Sequence, residues 1–300
     1  MNKKKIIIGI PTYNRQEKCW SLIEQLCSIK NIFDFVQLVV VDNSTTNPKK
    51  LEELINKFGY DKNIIYFHNE KNKGHDFSIL RLVNFAILKS SKIWFLTDDD
   101  KIFSEEFLGY VKFIQCSNAK VNLCNFDFEF DNDKTKNILL DKKNAYLRAS
   151  FLPTISIDPY FLNLTEIKNL CGTNYVQIAI INSLISSYEE INLYDRVVGI
   201  QKMPKINNWN FKNTYVEGYL KCMQWKNILS VSEIKLQTTI RIRGYLGSVI
   251  KNYRKFNKHE HLPNEVFKTG IAIFKHLGLI NFFYLLPRIV AWFIISFKNL

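Results

Sequence analysis

The sequence predicts an α/β protein built on a doubly wound, mostly parallel sheet. Short, β-branched, nearly all-apolar runs recur at 6–10, 36–41, 63–67 and 92–97, and stretches with helical spacing of apolar residues separate them. Each run also ends in a polar cluster. Strands covered on both faces read as continuous apolar runs, and regular strand and helix alternation implies parallel crossovers.

Ile6-Ile7-Ile8-Gly9-Ile10 predicts the first buried strand, because the run is too short for a signal sequence and Pro11-Thr12-Tyr13-Asn14-Arg15 follows at once. Asn14 with Glu17 has capping-box spacing, and Leu22, Ile23, Leu26 and Ile29 predict the helix behind it. Val36 to Val41 is the second strand, ending in Asp42-Asn43-Ser44. Asn47-Pro48 starts a helix striped by Leu51, Leu54, Ile55 and Phe58, which Gly59 stops. The third strand, 63–67, leads through Asn69 to Asp76 into a helix over about 76–89, and the fourth, 92–97, ends in Asp98-Asp99-Asp100. A helix at 105–115, a strand at 120–126, a charged loop over 127–143 and a helix around 174–187 complete the expectation.

With 47% hydrophobic residues in 300, the chain can bury a sizeable core, which excludes a disordered polyelectrolyte. Its net charge of +13 is uneven: residues 200–300 hold 16 lysines and arginines against 4 acids, leaving the first two thirds near neutral. Six cysteines show no Cys-x-x-Cys pair and no histidine at zinc-ligand spacing, so free thiols are expected.

In a doubly wound sheet, ligands bind outside the carboxyl ends of the strands, and here every such end is polar. Three adjacent carboxylates at Asp98, Asp99 and Asp100 repel one another unless a cation or ordered donors compensate them. Carboxylate oxygens select Mg²⁺ or Mn²⁺, which complete their shells with substrate phosphates. In an extended chain Asp98 and Asp100 face the same way and Asp99 turns aside. Asp42 could accept hydrogen bonds from a nucleobase or ribose, or simply form a turn. Tyr13 could stack on a base and Arg15 could grip a phosphate, or both could be ordinary helix-start residues.

Ile-Pro-Thr-Tyr-Asn-Arg (10–15), Val-Val-Asp-Asn-Ser (40–44), Asn-Lys-Gly-His-Asp-Phe-Ser-Ile (72–79) and Trp-Phe-Leu-Thr-Asp-Asp-Asp (94–100) resemble the ordered landmarks of family 2 glycosyltransferases. More narrowly, they are similar to abequosyltransferase-like and capsular-polysaccharide members. The resemblance covers residues 5 to about 115. It implies a GT-A fold, a nucleotide-diphosphate sugar donor, Mg²⁺ or Mn²⁺, and inversion at the anomeric carbon. It further implies that Pro11, Tyr13 and Asp42 line the nucleoside pocket, that Gly74 and Asp76 shape its wall, and that Asp98 contacts the ribose with Asp100 on the metal; the acidic run itself adds Asp98 as a metal ligand and Asp99 as a donor contact. Family members place a catalytic base in a Glu-Asp pair in the acceptor half, where this chain reads Gly172-Thr173-Asn174-Tyr175-Val176-Gln177. Asp158, Glu189, Glu190 and Asp195 are candidates by charge alone, and none is assigned.

The expected organisation is a glycosyltransferase domain over 1–220, with a donor half to 115 and an acceptor half from 116, followed by a basic, apolar, mainly helical extension over 221–300. Lys275, His276 and Pro287-Arg288 split the apolar segment 270–297, which reads as an interfacial surface beside the basic stretch 235–258, or as a helical pair packed on the domain. The expected setting is the cytoplasmic face of a membrane, with a glycan or lipid-linked acceptor of surface polysaccharide assembly. Two rivals remain: a non-catalytic nucleotide-sugar binder, and a basic protein holding nucleic acid or anionic membrane through the tail with Tyr245, Tyr253 and Phe256. No nucleic-acid motif accompanies that charge, so no nucleic acid is expected.

Overall fold

The computed structural model describes residues 4–47, 50–60, 63–129, 151–185, 191–202, 216–225, 230–251 and 263–297. They fall into two compact units, Met1–Cys171 with Val176–Met203, and Gly172–Tyr175 with Pro204–Leu300.

The first unit holds a mixed, mostly parallel eight-stranded sheet in the order β3-β2-β1-β4-β7-β6-β8-β5. In chain order the elements are β1 (Ile6–Thr12), α1 (Gln16–Cys27), α2 (Ile32–Phe35), β2 (Val36–Asp42), α3 (Lys50–Lys57), β3 (Ile64–His68) and α4 (His75–Leu88). There follow β4 (Ile93–Phe95), β5 (Lys101–Ile102), α5 (Ser104–Cys116), β6 (Val121–Glu129), β7 (Ile155–Ile157), α6 (Leu164–Lys168), α7 (Val176–Leu184) and β8 (Ile191–Lys202). Short 3-10 turns occupy Leu152–Thr154 and Pro159–Phe161. The four strands expected from periodicity form the parallel half, β3-β2-β1-β4. The stretch 127–129, expected in a loop, continues β6 by pairing with 200–202 of β8. The rest of that expected loop, from 130, lies outside the described residues.

Why these strands are buried is visible in their side chains. Ile8, Ile10, Leu38, Val40 and Trp94 join Leu22, Ile23 and Leu26 of α1 and Phe107, Tyr110 and Ile114 of α5 in one apolar cluster. A Cβ on Gly9 would lie 3.0 Å from Ile93 and 3.1 Å from Leu82, so the glycine lets α4 close on the other face. The capping box expected at Asn14 and Glu17 does not form. Arg15 caps α1 without a side-chain bond, while Asn14 Oδ1 accepts the Thr45 and Thr46 amides at 2.9 and 3.2 Å. Glu17 pairs instead with Lys50 at 2.7 Å. Joining the two loops satisfies as many amides as a capping box would, and the Asn14 amide also finds Ser44 Oγ at 2.8 Å. All six cysteines are free, as expected.

In the second unit the described helices are α8 (Tyr219–Met223), α9 (Val231–Lys251) and α10 (Pro263–Phe297). Gly278, at φ 80° and ψ 174°, interrupts α10 and divides it into arms over 263–277 and 279–297. Ile273, Leu277, Leu285 and Trp292 are buried, whereas Phe267, Phe274, Ile280, Phe283 and Ile294 are exposed. By length and composition alone, Val266–Ile294 is long and apolar enough to cross a membrane, although the charges within it suggested too short a run.

Candidate functional site

Parallel pairing brings the polar strand ends to one edge. Register sets Thr12, the last residue of β1, beside Asp42, the last residue of β2, and the Asn43 amide continues the ladder to Thr12 O at 2.9 Å. On the other side Gly9 pairs with Phe95, so the chain leaving β4 enters the same rim at Asp98. Thr12 Oγ1 donates to Asp98 Oδ2 at 2.7 Å.

Asp98 has no solvent exposure, yet Arg15 reaches it from the start of α1 with Nη2 2.7 Å from Oδ1. The same guanidinium meets Asp99 at 3.0 Å through Nη1, and Lys18, one turn on, lies 3.6 Å from Asp99. Arg15 and Lys18 are half-exposed or more, so their cations sit on the open side of the carboxylates. Asp98 and Asp99 form a turn rather than extended chain, and the expected common facing of Asp98 and Asp100 gives way accordingly. Asp100 folds back, accepting the Thr97 amide at 2.7 Å and the Thr97 hydroxyl at 2.6 Å. Burial, opposed by Arg15 and reinforced by Asp99, pushes Asp98 up to about 6. Burial also holds Asp100 well above the usual carboxylate range, against two hydrogen bonds from Thr97.

At the end of β2, Asp42 is fully buried and accepts the Ser44 amide at 2.7 Å and the Tyr66 hydroxyl at 3.0 Å. Asn43 donates to Gly74 O at 3.1 Å and to Ser78 Oγ at 2.6 Å, while Asn69 donates to Asn43 Oδ1 at 2.6 Å. Arg81 closes that chain on Asn69 and stacks over Phe67, 4.5 Å from the ring centre. The loop from Asn69 to Asp76 is thereby tied to β2. Gly74 turns it at φ 86°, a conformation that favours glycine, and Asn72 Oδ1 accepts its amide at 2.9 Å. Asp76, buried at the first turn of α4, accepts the Val176 amide at the start of α7 at 3.3 Å. Burial lowers neighbouring His75, with Asp76 opposing and Arg15 reinforcing that shift.

Thus the rim gathers Pro11, Tyr13, Arg15, Asp42, Gly74, Asp76, Asp98, Asp99 and Asp100 at the ends of β1, β2, β3 and β4. Tyr13 is 41% exposed, whereas Pro11 is buried within β1. Thr12, Tyr66 and Lys18 were not singled out from the sequence. Lys18 stands at i+3 from Arg15, a spacing that puts both on one helix face and was the available signal. Of the candidate bases, Asp158 caps a 3-10 turn through the Tyr160 amide, Asp195 is exposed on β8, and Glu189 and Glu190 lie outside the described residues.

The donor set suits a hard cation. Asp98 Oδ1 is buried and lacks a hydrogen-bond donor, because its contact with Arg15 is an ion pair outside hydrogen-bond geometry. With only the half-exposed Arg15 cation against it, that oxygen would become a ligand for Mg²⁺ or Mn²⁺ once the guanidinium turns to a phosphate. Among the described residues no three His, Cys, Asp or Glu side chains converge into a cage.

Comparison with known proteins follows this geometry. An uncharacterized glycosyltransferase of Methanocaldococcus jannaschii, MJ1057, is 33% identical over 146 residues, which is 48% of this chain and 48% of that protein. The chain therefore spans about half the length of that curated relative. Among solved structures, S. aureus TarS 1–349 in complex with UDP-GlcNAc superposes with a TM-score of 0.64 at 14% identity, covering 99% of this chain and 91% of that one. The mannosyltransferase PcManGT from Pyrobaculum calidifontis, in complex with GDP-Man and Mn²⁺, gives 0.54 at 12% identity, covering 98% and 87%. At such identities the likeness concerns the fold, which is GT-A. The sequence profile of glycosyl transferase family 2 matches residues 7–182, spanning all four strand ends, and on that match the chain belongs to glycosyl transferase family 2.

Proposed function

We propose that the protein is an inverting glycosyltransferase that moves a sugar from a nucleotide-diphosphate donor to a glycan or lipid-linked acceptor. The observation that carries this reading is the convergence of Thr12, Asp42 and the Asp98 turn on one rim, with Arg15 and Lys18 held over the carboxylates. In it, Tyr13 stacks on the base, Asp42 accepts from base or ribose, and Gly74 and Asp76 wall the nucleoside pocket. Asp98 and Asp99 meet the donor, Arg15 takes a phosphate, and Asp98 and Asp100 hold the metal.

Asp98 and Asp100 would hold a divalent cation there, which would supply positive charge to offset that on the departing diphosphate. The residues themselves bind and orient. Thr12 fixes one oxygen of Asp98, Thr97 fixes both oxygens of Asp100, and the Asn43–Asn69–Arg81 chain stiffens the pocket wall. Preorganised groups of this kind lower the reorganisation needed at the moment of transfer.

The same reading divides the chain into a donor half to residue 115, an acceptor half to 220 and an extension beyond. The exposed Phe274, Ile280 and Phe283 of α10, with Arg243 stacked 4.8 Å over Tyr284, favour peripheral contact with an anionic, cytoplasmic membrane face. Lipid-linked acceptors of capsule, O-antigen or lipooligosaccharide assembly would be met there, as in abequosyltransferase-like enzymes.

A thermal-shift panel of UDP-, GDP-, CDP- and dTDP-sugars, each with and without Mn²⁺, tests the reading. Stabilisation by one nucleotide class in the presence of metal is the expected result. A flat panel overturns it, and donor binding without hydrolysis or transfer leaves a non-catalytic binder.

A further inference from the structure

We propose that Asp127 is the general base that deprotonates the acceptor hydroxyl. This rests on the transferase reading and supplies the role that the segment 172–177, which has no carboxylate, leaves empty.

Topology brings Asp127 to the rim. β4 and β6 both pair antiparallel with β7, so β6 runs in the direction of β4 and its far end opens on the same edge. Ile93 and Val121 face the same partner, Ile157, as Trp94 and Asn122 face Ser156. From that register β6 runs on without a break to Asp127, the slips on either side of Asn125 being taken up by extra residues of β8, so Asp127 lies near the carboxyl end of β6 on the edge where the Asp98 turn leaves β4. β7 begins at Ile155, level with Leu123, and the 3-10 turn before it lines the gap between β4 and β6, its Pro153 O accepting from Trp94 Nε1 at 2.7 Å and from Cys124 Sγ at 3.5 Å.

The chain itself frames the gap. After β4 it re-enters the sheet as β5 on the far side of β8, so residues 96–100 cross from the outlet of β4 past those of β6 and β8. Asp100 is accordingly close enough to β6 for its charge to help raise the Cys124 thiol, after burial. Side-chain alternation separates Asp127 from Phe126, which packs with Trp94 on the α5 face. Asp127 thus projects to the opposite face, away from the apolar cluster.

Its chemistry fits the role. Asp127 is half-buried, and its Oδ1 is buried without a hydrogen-bond partner, a costly arrangement for a structural carboxylate. Burial raises its proton affinity above that of ordinary aspartate. In the transfer, the acceptor oxygen bonds to the anomeric carbon as its proton passes to Asp127, and the bond from that carbon to the diphosphate oxygen breaks with its electron pair leaving on the nucleoside diphosphate.

The test is Asp127→Asn, with Asp127→Glu beside it, assayed by hydrolysis of the donor sugar that stabilises the wild type, where water replaces the acceptor. Expected is a loss of 100-fold or more in turnover for the amide, with nucleoside diphosphate affinity in Mn²⁺ within about threefold of wild type. The glutamate variant regains part of the rate, and the alkaline-rising limb of the pH profile disappears only in Asp127→Asn. Turnover within tenfold of wild type, or a parallel loss of nucleotide affinity, overturns the assignment. A wild type that binds no nucleotide refutes the transferase reading itself, and a binding, active Asp127→Asn refutes this role alone. An unchanged or higher urea midpoint for the variant, expected because Oδ1 has no partner to lose, separates lost chemistry from lost fold.

Discussion

Thr12 Oγ1 donates to Asp98 Oδ2 at 2.7 Å, tying the last residue of β1 to a fully buried carboxylate 86 residues away. Removing the hydroxyl leaves a buried acceptor without its donor, which costs about 1–3 kcal/mol. Thr12→Val, close in shape, is expected to lower the urea unfolding free energy by that amount. A loss below about 0.5 kcal/mol would show that the bond contributes nothing net.

Asp98 also sets a pH dependence. Burial lifts it from 3.8 to about 6, so its contribution to stability is fully present below about pH 3.8 and is lost as pH rises through about 6. Asp98→Asn removes that penalty, and the variant should be more stable than wild type at pH 7 by up to about 3 kcal/mol. The gap should close as pH falls from 6 toward 4. Denaturation midpoints of both proteins across this range check it, and a pH-independent gap would contradict the burial argument.

Arg15 is 40% exposed, but Asp98 beneath it is fully buried, so removing the guanidinium leaves a buried carboxylate without its cation. Arg15→Gln should lower the unfolding free energy at pH 7 by about 1–3 kcal/mol. Loss of a charge-assisted contact should also weaken nucleoside diphosphate binding with Mn²⁺ by about tenfold or more. Calorimetric titration against wild type decides whether the guanidinium serves the ligand or only the turn.

Gly199 of β8 is a stability test of the turn. A Cβ there would lie 2.2 Å from Lys101 O and 2.8 Å from Phe126, and Lys101 directly follows Asp100. Gly199→Ala should cost at least about 1–3 kcal/mol by forcing β5 away, and should weaken nucleotide stabilisation by disturbing the Asp98 turn. A variant with wild-type melting and nucleotide response would show that β5 does not support the site.

The parallel half of the sheet was legible because its strands are buried on both faces and carry unbroken β-branched runs. β5 and β7 were not, since two or three residues carry no period, and only cross-strand bonds define them. Asp127 went unnoticed for the same reason: in sequence it begins a charged stretch, and only pairing with Ile200 makes it part of a strand. The Asn14 cap failed because a local signal competes with partners from a distant loop, Thr45 and Thr46.

By itself the sequence determined the fold class, the polar rim and the run of three carboxylates on it, since each follows from periodicity and residue type over a few neighbours. Only the tertiary structure decided which charges meet. Arg15 and Asp98, Asp42 and Tyr66, and Asp76 and the Val176 amide lie 24 to 100 residues apart, and their proximity comes from strand order and register. Hydrogen-bond and Coulomb energies depend on distance and burial, and a chain acquires both only when its sheet is assembled.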